Sequence, residues 1–182
     1  VIKIDEDENI LEIGRSNRLF AHQMIEESMI AANICAAKFI KKHYGFGVYR
    51  VHEEPESIKV DGLKKFFSLK GHSTNKNSNT LDLINSLINH ANKNENNKLF
   101  NIMILQSLKR AQYSTKEIGH FGLQLDKYSH FTSPIRRYPD LIVHRMIKNI
   151  LNKADQIFVE EDLDEHLGEL SSLEKRAEIS AR

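Results

Sequence analysis

The sequence predicts a mainly helical α+β fold, and three features of its apolar pattern support this. Residues 17–42, 99–111 and 160–182 repeat apolar side chains at helical spacing over several turns. Residues 1–13 instead alternate apolar and polar side chains on both sides of a charged turn, which predicts a β-hairpin. Residues 48–52 read VYRVH between two glycines and a Glu-Glu-Pro stop, which predicts one further short strand.

The other elements follow from breaks in this pattern. Proline, glycine and polar stretches separate the helices and predict loops. The remaining predicted elements are helices over 56–69 and 81–90, loops over 70–80 and 91–97, a turn over 113–116, and a helix that ends near Asn152. Because two strands alone are marginally stable, the strands at the N-terminal end are expected to belong to a larger sheet.

The composition fits one domain of ordinary size. The chain has 182 residues, of which 40% are hydrophobic, enough for a core. With 26 Lys and Arg against 25 Asp and Glu, the net charge is +1, so any contact with a polyanion must be local. The single cysteine, Cys35, excludes an internal disulfide framework and favours a reducing compartment, so we expect a cytoplasmic protein. No apolar run approaches membrane-spanning length.

A short stretch after residue 130 carries the most informative sequence. Ser133 followed by Pro134 predicts the start of a helix, because serine caps free N–H groups and proline suits the first turn. Arg136 and Arg137 would then lie in that turn, where guanidinium and N–H groups together favour an anion such as a phosphodiester. The alternative from spacing alone is that the arginines are solvated or pair with a carboxylate such as Asp140.

Aromatic and histidine side chains surround this arginine pair. Aromatic rings interleaved with arginine can stack on the bases of a single strand, and they can equally belong to a core. The aromatic residues concerned are Phe121, Tyr128, Phe131 and Tyr138. The nearby histidines lack metal-ligand spacing with a third partner, so structural hydrogen bonding is the favoured interpretation. These histidines are His120, His130 and His144.

Three polar residues fall on one stripe of the apolar helix over 17–42, namely His22, Glu26 and Asn33. Polar groups on a packed helix need partners, so one interpretation is a buried hydrogen-bond network. The other is a carboxylate and an amide that face a ligand channel. The sequence by itself favours the buried network.

The stretch from His130 to Asp140 reads HFTSPIRRYPD, and it resembles the signature of the ribonuclease II and ribonuclease R family of processive 3′-to-5′ exoribonucleases. Other stretches resemble the family in the same order along the chain. They are AHQMIEE at 21–27, AAN at 31–33, YRVH at 49–52, AQYS at 111–114 and GHFGL at 119–123. The resemblance covers nearly the whole chain, and its Arg-Arg-Tyr-Pro form is more similar to the ribonuclease R branch.

The resemblance implies a nuclease in which one RNA strand enters a narrow channel and its 3′ end reaches a Mg²⁺ site. Two metal ions there would activate water for phosphodiester hydrolysis and release nucleoside 5′-monophosphates. By its place in the signature, Arg136 is the expected catalytic arginine, which contacts the phosphate and supports charge in the transition state. Arg137 is expected to be auxiliary, or structural through Asp140.

The resemblance also implies contacts with the RNA strand. Glu26 or Glu27 resembles the family glutamate near the substrate ribose, and the face shared with Asn33 favours Glu26. The expected RNA-binding residues are Arg137, Glu26, Glu27, Ser133, Tyr128 and Tyr138. The expected partner is single-stranded RNA, without a membrane, and the parent enzyme is expected to be monomeric.

Some parts of the family pattern are expected to lie outside this chain. The aspartates that hold Mg²⁺ should precede the hairpin, as should further stacking aromatics, and the cold-shock and S1 domains flank the catalytic domain. In part of the family a glutamate stands just before the final Arg182, where this chain has Ala181. Residues 1–182 are therefore expected to be the C-terminal portion of a ribonuclease II-type catalytic domain, inactive alone and without a metal site.

Two other functions compete with this interpretation. One is a non-enzymatic RNA-binding module that keeps the arginines and aromatics but never had a metal site. The other is a helical protein-interaction domain that uses the charged helix over 160–182 as its contact face. An aspartate cluster in the parent reading frame would favour the enzyme, and indifference to Arg136→Ala would favour the interaction domain.

Overall fold

The computed structural model describes residues 2–5, 9–14, 18–71, 78–93, 97–155 and 157–181. Within these ranges the chain forms six α-helices and four short strands. The helices are α1 Phe20–Tyr44, α2 Ser57–Leu69, α3 Thr80–Asn92, α4 Asn97–Ser107, α5 Tyr138–Leu151 and α6 Glu160–Ser180. The strands are β1 Ile2–Ile4, β2 Ile10–Ile13, β3 Tyr49–Val51 and β4 Gln112–Ser114. The predicted class, mainly helical α+β with strands towards the N-terminal end, is confirmed.

The strands form two antiparallel pairs. β1 pairs with β2, with Ile2 opposite Ile13, and this confirms the hairpin predicted over 1–13. The tip of that hairpin and the centres of the loops predicted over 70–80 and 91–97 lie outside the described residues.

The second pair, β3 with β4, was only half predicted. Arg50 lies opposite Tyr113, and Val51 lies opposite Gln112. The predicted turn over 113–116 is wrong in its first residues, and the helix predicted over 99–111 ends early, at Ser107. The pairing with β3 explains the first difference, because residues 112–114 that bond to a neighbouring strand are not available to a turn.

One hydrophobic core joins α1, α5 and α6 with the second strand pair. Small residues on α1 allow close packing, and α5 and α6 contribute branched and unbranched apolar side chains. Its buried members are Ala36, Ile40, Phe46, Val48, Tyr113, Ile142, Val143, Met146, Leu163 and Leu167. Phe131, from the segment that carries the arginine pair, packs against this core, so the core helps to hold that segment in place.

A second core lies among α2, α3 and α4. Phe67 and Leu87 are fully buried in it, and Phe100 packs near Phe67 with ring centroids 5.1 Å apart. These helices follow the apolar repeats of the sequence closely, since α2 and α3 begin and end within two residues of the predicted positions. The two cores together contain buried side chains from all six helices.

Helix α1 is buried only in its second half. The apolar repeat that predicted the helix includes Ile25 and Met29, but both are exposed, and Phe20 is 80% exposed. The helix ends at Gly45, whose φ of 83° is the left-handed conformation that glycine adopts most readily. The exposed first half carries Glu26 and Glu27 into solvent.

None of the described helices combines the length and the apolar character needed to cross a membrane.

Candidate functional site

The segment that carries Arg136, residues 128–137, is bonded to the strand β3 region at its first two residues. The backbone N–H of Arg50 on β3 donates to the carbonyl of Tyr128 over 2.8 Å. The hydroxyl of Ser129, which is fully buried, donates to the carbonyl of Val48. Buried polar groups with partners are stable anchors, so this end of the segment has one defined position.

Asn33 of α1 holds the next part of the segment. Its amide nitrogen donates to the Tyr128 hydroxyl over 3.0 Å, and its amide oxygen accepts from the backbone N–H of Phe131 over 2.9 Å. Only 3% of Asn33 is exposed. For Asn33 the predicted buried hydrogen-bond network is therefore confirmed.

The other two residues of the predicted polar stripe do not share this environment. Glu26 is exposed and forms an ion pair with Arg18. His22 is also exposed, and its Nδ1 accepts from the backbone N–H of Leu19. The stripe is divided because α1 is buried only in its second half.

His144 of α5 supports Phe131 from the other side. The two rings stack with centroids 4.2 Å apart, and His144 Nε2 donates to the Phe131 carbonyl over 2.8 Å. This contact makes His144 structural, as the sequence favoured. Helices α1 and α5 thus hold the same residue between them.

The helix predicted to begin at Ser133 and Pro134 begins later, at Tyr138, and that prediction is wrong. Residues 133–137 form a turn in which the N–H of Arg137 donates to the carbonyl of Ser133 over 3.1 Å. A helix that began at Pro134 would place Pro139 in its interior, where the missing N–H and the ring both disrupt helical bonding. In the structure Pro139 instead falls within the first turn of α5, which tolerates proline.

The two arginines of this turn have different surroundings. Arg137 donates to Asp140 Oδ1 over 2.8 Å, and Asp140 is fully buried. The contact between Arg137 and Asp140 that one of the two expected roles requires is present, and the role itself, auxiliary or structural, stays a prediction. Arg136 is exposed, and no carboxylate within the described ranges forms an ion pair with it. Arg136 is therefore available to an external anion, while the charge of Arg137 is already balanced.

A row of aromatic rings lies behind the turn. Tyr128 contacts His120 and His130, with centroids 5.6 and 5.8 Å away, and the Tyr113 hydroxyl lies 2.8 Å from His130 Nδ1. Arg50 closes the row, because its guanidinium lies 4.5 Å from the centre of the Tyr113 ring. Arg50 also forms two hydrogen bonds to Glu174 of α6.

Burial keeps His120, His130 and Tyr113 of this row uncharged near neutral pH. Burial, followed by the positive charges of Arg137 and Arg50, lowers the pKa of His130 to about 3. Burial, followed by the neighbouring His52, lowers the pKa of His120 to about 4. Burial also raises the pKa of the Tyr113 hydroxyl to about 12. Near neutral pH the arginines therefore carry positive charge at this site, whereas His120 and His130 do not.

The remaining predicted RNA-binding residues divide into exposed and covered groups. Tyr138 is exposed at the start of α5, and Glu27 is exposed on α1. Ser133 is half-buried, and its backbone N–H donates to Asp140 Oδ1 over 2.8 Å. Tyr128 is 91% buried with its hydroxyl bonded to Asn33, so its position favours support of the segment. RNA contact by these residues stays a prediction.

Sequence reasoning missed Arg50 and its partner Glu174 as parts of the site. Arg50 lies on the predicted strand over 48–52, but nothing in the spacing showed that this strand would pair with β4 or face α6. The two residues are 124 positions apart, and no local pattern predicts such a contact. The sequence signal for Arg50 is the YRVH stretch at 49–52, whose resemblance to a family strand assigns no role to the arginine.

The described residues bring no group of three or more His, Cys, Asp or Glu side chains together in a way that could hold a metal ion. The histidines near the turn are already used. His52 Nδ1 accepts from the N–H of Gly122 over 3.1 Å, and His120 Nδ1 accepts from the N–H of Leu123 over 3.2 Å. This part of the chain does not fit a Mg²⁺ site.

Comparison with known proteins identifies the family. Residues 1–153 match the model of the RNB domain. The chain is 40% identical over 140 residues to ribonuclease R of Vibrio parahaemolyticus, which covers 74% of the chain and 16% of that protein. It is 35% identical over 186 residues to ribonuclease R of Aquifex aeolicus, which covers 98% of the chain and 26% of that protein.

A solved structure shows the same relationship in three dimensions. Mycoplasma genitalium RNase R in complex with ribose methylated single-stranded RNA superimposes with a TM-score of 0.77 at 29% identity. The alignment covers 98% of the chain and 28% of that protein. The chain thus spans between 16% and 28% of the length of these relatives. The predicted resemblance to the ribonuclease R branch is confirmed, and the chain belongs to the RNB domain family.

Proposed function

We propose that this chain contributes the phosphate-binding arginine of a 3′-to-5′ exoribonuclease that hydrolyses single-stranded RNA to nucleoside 5′-monophosphates. Membership of the RNB family supports the reaction class, and the curated relatives are named ribonucleases. The relative from Mycoplasma genitalium in complex with single-stranded RNA supports the substrate class. Residues 1–182 are proposed to be the C-terminal portion of the catalytic domain.

One observation carries this proposal, namely the contrast between the two arginines of the turn. Arg136 is exposed without an ion-pair partner among the described residues, while Asp140 balances Arg137. An unpaired guanidinium on a fixed turn is suited to bind phosphate oxygens in a bidentate manner. It also suits stabilisation of charge that develops on the phosphate in the transition state, because its position requires no reorganisation. Arg136 is thus the proposed catalytic arginine.

Other exposed groups are proposed to contact the RNA strand. Tyr138, one residue after Arg137, offers a ring for base stacking. Glu26 or Glu27 is proposed to meet the substrate ribose, where a carboxylate that accepts from the 2′-hydroxyl would favour RNA over DNA. Glu27 is exposed and Glu26 is paired with Arg18, so binding of RNA through Glu26 would require that ion pair to open.

The proposed reaction uses Mg²⁺, which in such sites activates water and stabilises the leaving oxygen. Its ligands are proposed to lie outside the residues described here, because those residues offer no converging set. We therefore propose that the 182-residue chain alone is inactive. A monomeric parent and a cytoplasmic location complete the proposal, the latter in keeping with a single free cysteine.

A nuclease assay tests this proposal directly. Single-stranded RNA with a 5′ label is incubated with Mg²⁺ and either this chain or the product of the complete reading frame that contains it. We expect a ladder of shortened RNA from the complete product and none from this chain. A ladder from this chain would contradict its inactivity, and no cleavage by either protein would leave an RNA-binding module as the better function.

A further inference from the structure

We propose that Asp140 is a positioning residue for Arg136, a role that rests on the function proposed above. Asp140 is the third residue of α5, and its carboxylate reaches back across the turn that precedes the helix. One oxygen, Oδ1, accepts both from the backbone N–H of Ser133 and from the guanidinium of Arg137, each over 2.8 Å. The carboxylate thereby joins the start of the turn to its end.

The location of Asp140 makes these contacts strong. It is fully buried, and a buried carboxylate without a cationic partner is unfavourable, so Arg137 must remain beside it. The carboxylate also lies at the N-terminal end of α5, where the helix dipole favours negative charge. Both effects hold the turn in a single arrangement.

Arg136 lies inside the turn that Asp140 closes. Its own backbone N–H approaches the Ser133 carbonyl at 3.4 Å, while its side chain extends into solvent. Among the described residues, the two hydrogen bonds that residues 132–137 make to a side chain are both donated to Asp140 Oδ1. The other side-chain anchors lie before this turn. Asn33 accepts from the N–H of Phe131, and the Ser129 hydroxyl donates to the carbonyl of Val48. The direction of the Arg136 side chain therefore depends on Asp140.

The dependence predicts a specific kinetic pattern. A small displacement of a transition-state contact lowers turnover more than it lowers ground-state binding. Asp140→Asn keeps the shape of the side chain and removes the charge that retains Arg137. We expect this variant to lower kcat at least about tenfold and to change RNA affinity by less than about threefold.

A double-mutant cycle separates positioning from general support of the fold. Single-turnover cleavage of 5′-labelled single-stranded RNA with Mg²⁺ is measured for the product of the complete reading frame. The four proteins are the unchanged enzyme, Asp140→Asn, Arg136→Ala and the double variant. If Asp140 acts through Arg136, then Asp140→Asn lowers the single-turnover rate constant by less than about twofold once Arg136 is already alanine. An equal loss in both backgrounds would overturn the proposal.

Two further variants keep the test decisive. If Asp140→Asn does not fold, Arg137→Lys takes its place in the same cycle, because lysine keeps the charge but loses the planar guanidinium. Arg145→Lys is the matched control on α5, where the arginine is exposed and no change is expected. If Arg136→Ala alone leaves turnover unchanged, the role of Arg136 in the proposed function fails, and positioning by Asp140 fails with it. That outcome is distinct from equal losses in both backgrounds.

Discussion

Replacement of Asn33 by alanine is expected to destabilise the chain strongly, although it removes only a small polar side chain. The change leaves the Tyr128 hydroxyl and the Phe131 N–H without the partners that Asn33 provides. Each buried polar group left unsatisfied costs about 1–3 kcal/mol. Because Phe131 is half-buried and water can reach part of it, we expect a total loss of about 2–4 kcal/mol in the free energy of unfolding.

The assay is urea unfolding of this chain, followed by far-UV circular dichroism. Asn85→Ala on α3 is the matched control, since Asn85 is also inside a helix but is exposed. The same gain in helix propensity applies to both variants and cancels in the comparison. In thermal unfolding, the difference should amount to roughly 4–16 °C in Tm for a chain of this size. Equal stability of the two variants would refute the anchoring role of Asn33.

Two further predictions concern charge. Arg136→Ala in the complete enzyme should remove about 3 kcal/mol of transition-state stabilisation and lower kcat about a hundredfold. The control Arg145→Ala should leave kcat unchanged. If Arg136→Ala had the same kcat as the unchanged enzyme, Arg136 would have no part in the mechanism. His120 and His130 have lower pKa values in the folded chain than in the unfolded chain, so the unfolded chain binds protons more tightly. The free energy of unfolding should therefore keep its full value above pH 6.5 and decrease as the pH falls towards 4. At pH 5 we expect each histidine to lower the free energy of unfolding by about 1 kcal/mol, a value already reduced because the histidines are partly exposed. Urea unfolding is measured at pH 7.5 and at pH 5, and equal midpoints would contradict this prediction.

The sequence predicted the parts of the fold that depend on local pattern. Apolar repeats predicted the positions of the helices, and the resemblance around HFTSPIRRYPD predicted Arg136 as the catalytic arginine. The predicted start of α5 is wrong because Ser133 and Pro134 satisfy local rules for a helix start, whereas Pro139 would lie in the interior of such a helix. That conflict was readable from the sequence.

Other features could not be predicted from local pattern. The bonds of Asn33 join residues 95 and 98 positions apart, and their partners are fixed only when α1 packs against the segment after β4. Spacing alone also left open whether Arg137 binds phosphate or Asp140. The structure shows the contact with Asp140, which depends on the burial of that carboxylate, and burial is a property of the whole fold. Phosphate binding by Arg137 stays a prediction.

Helix α6 lies beyond the part of the chain that matches the RNB domain, yet it covers β4 along most of its length. Asp164 accepts from the backbone N–H of Thr115, and Ser171 accepts from the backbone N–H of Tyr113. Leu167 fills the core between them. A boundary drawn at residue 153 would therefore cut through a hydrophobic core and expose one side of a strand pair. A polypeptide that ended there would expose β4 and apolar core residues to other copies of itself. Self-association of such a shortened protein would therefore not report on the oligomeric state of the intact protein.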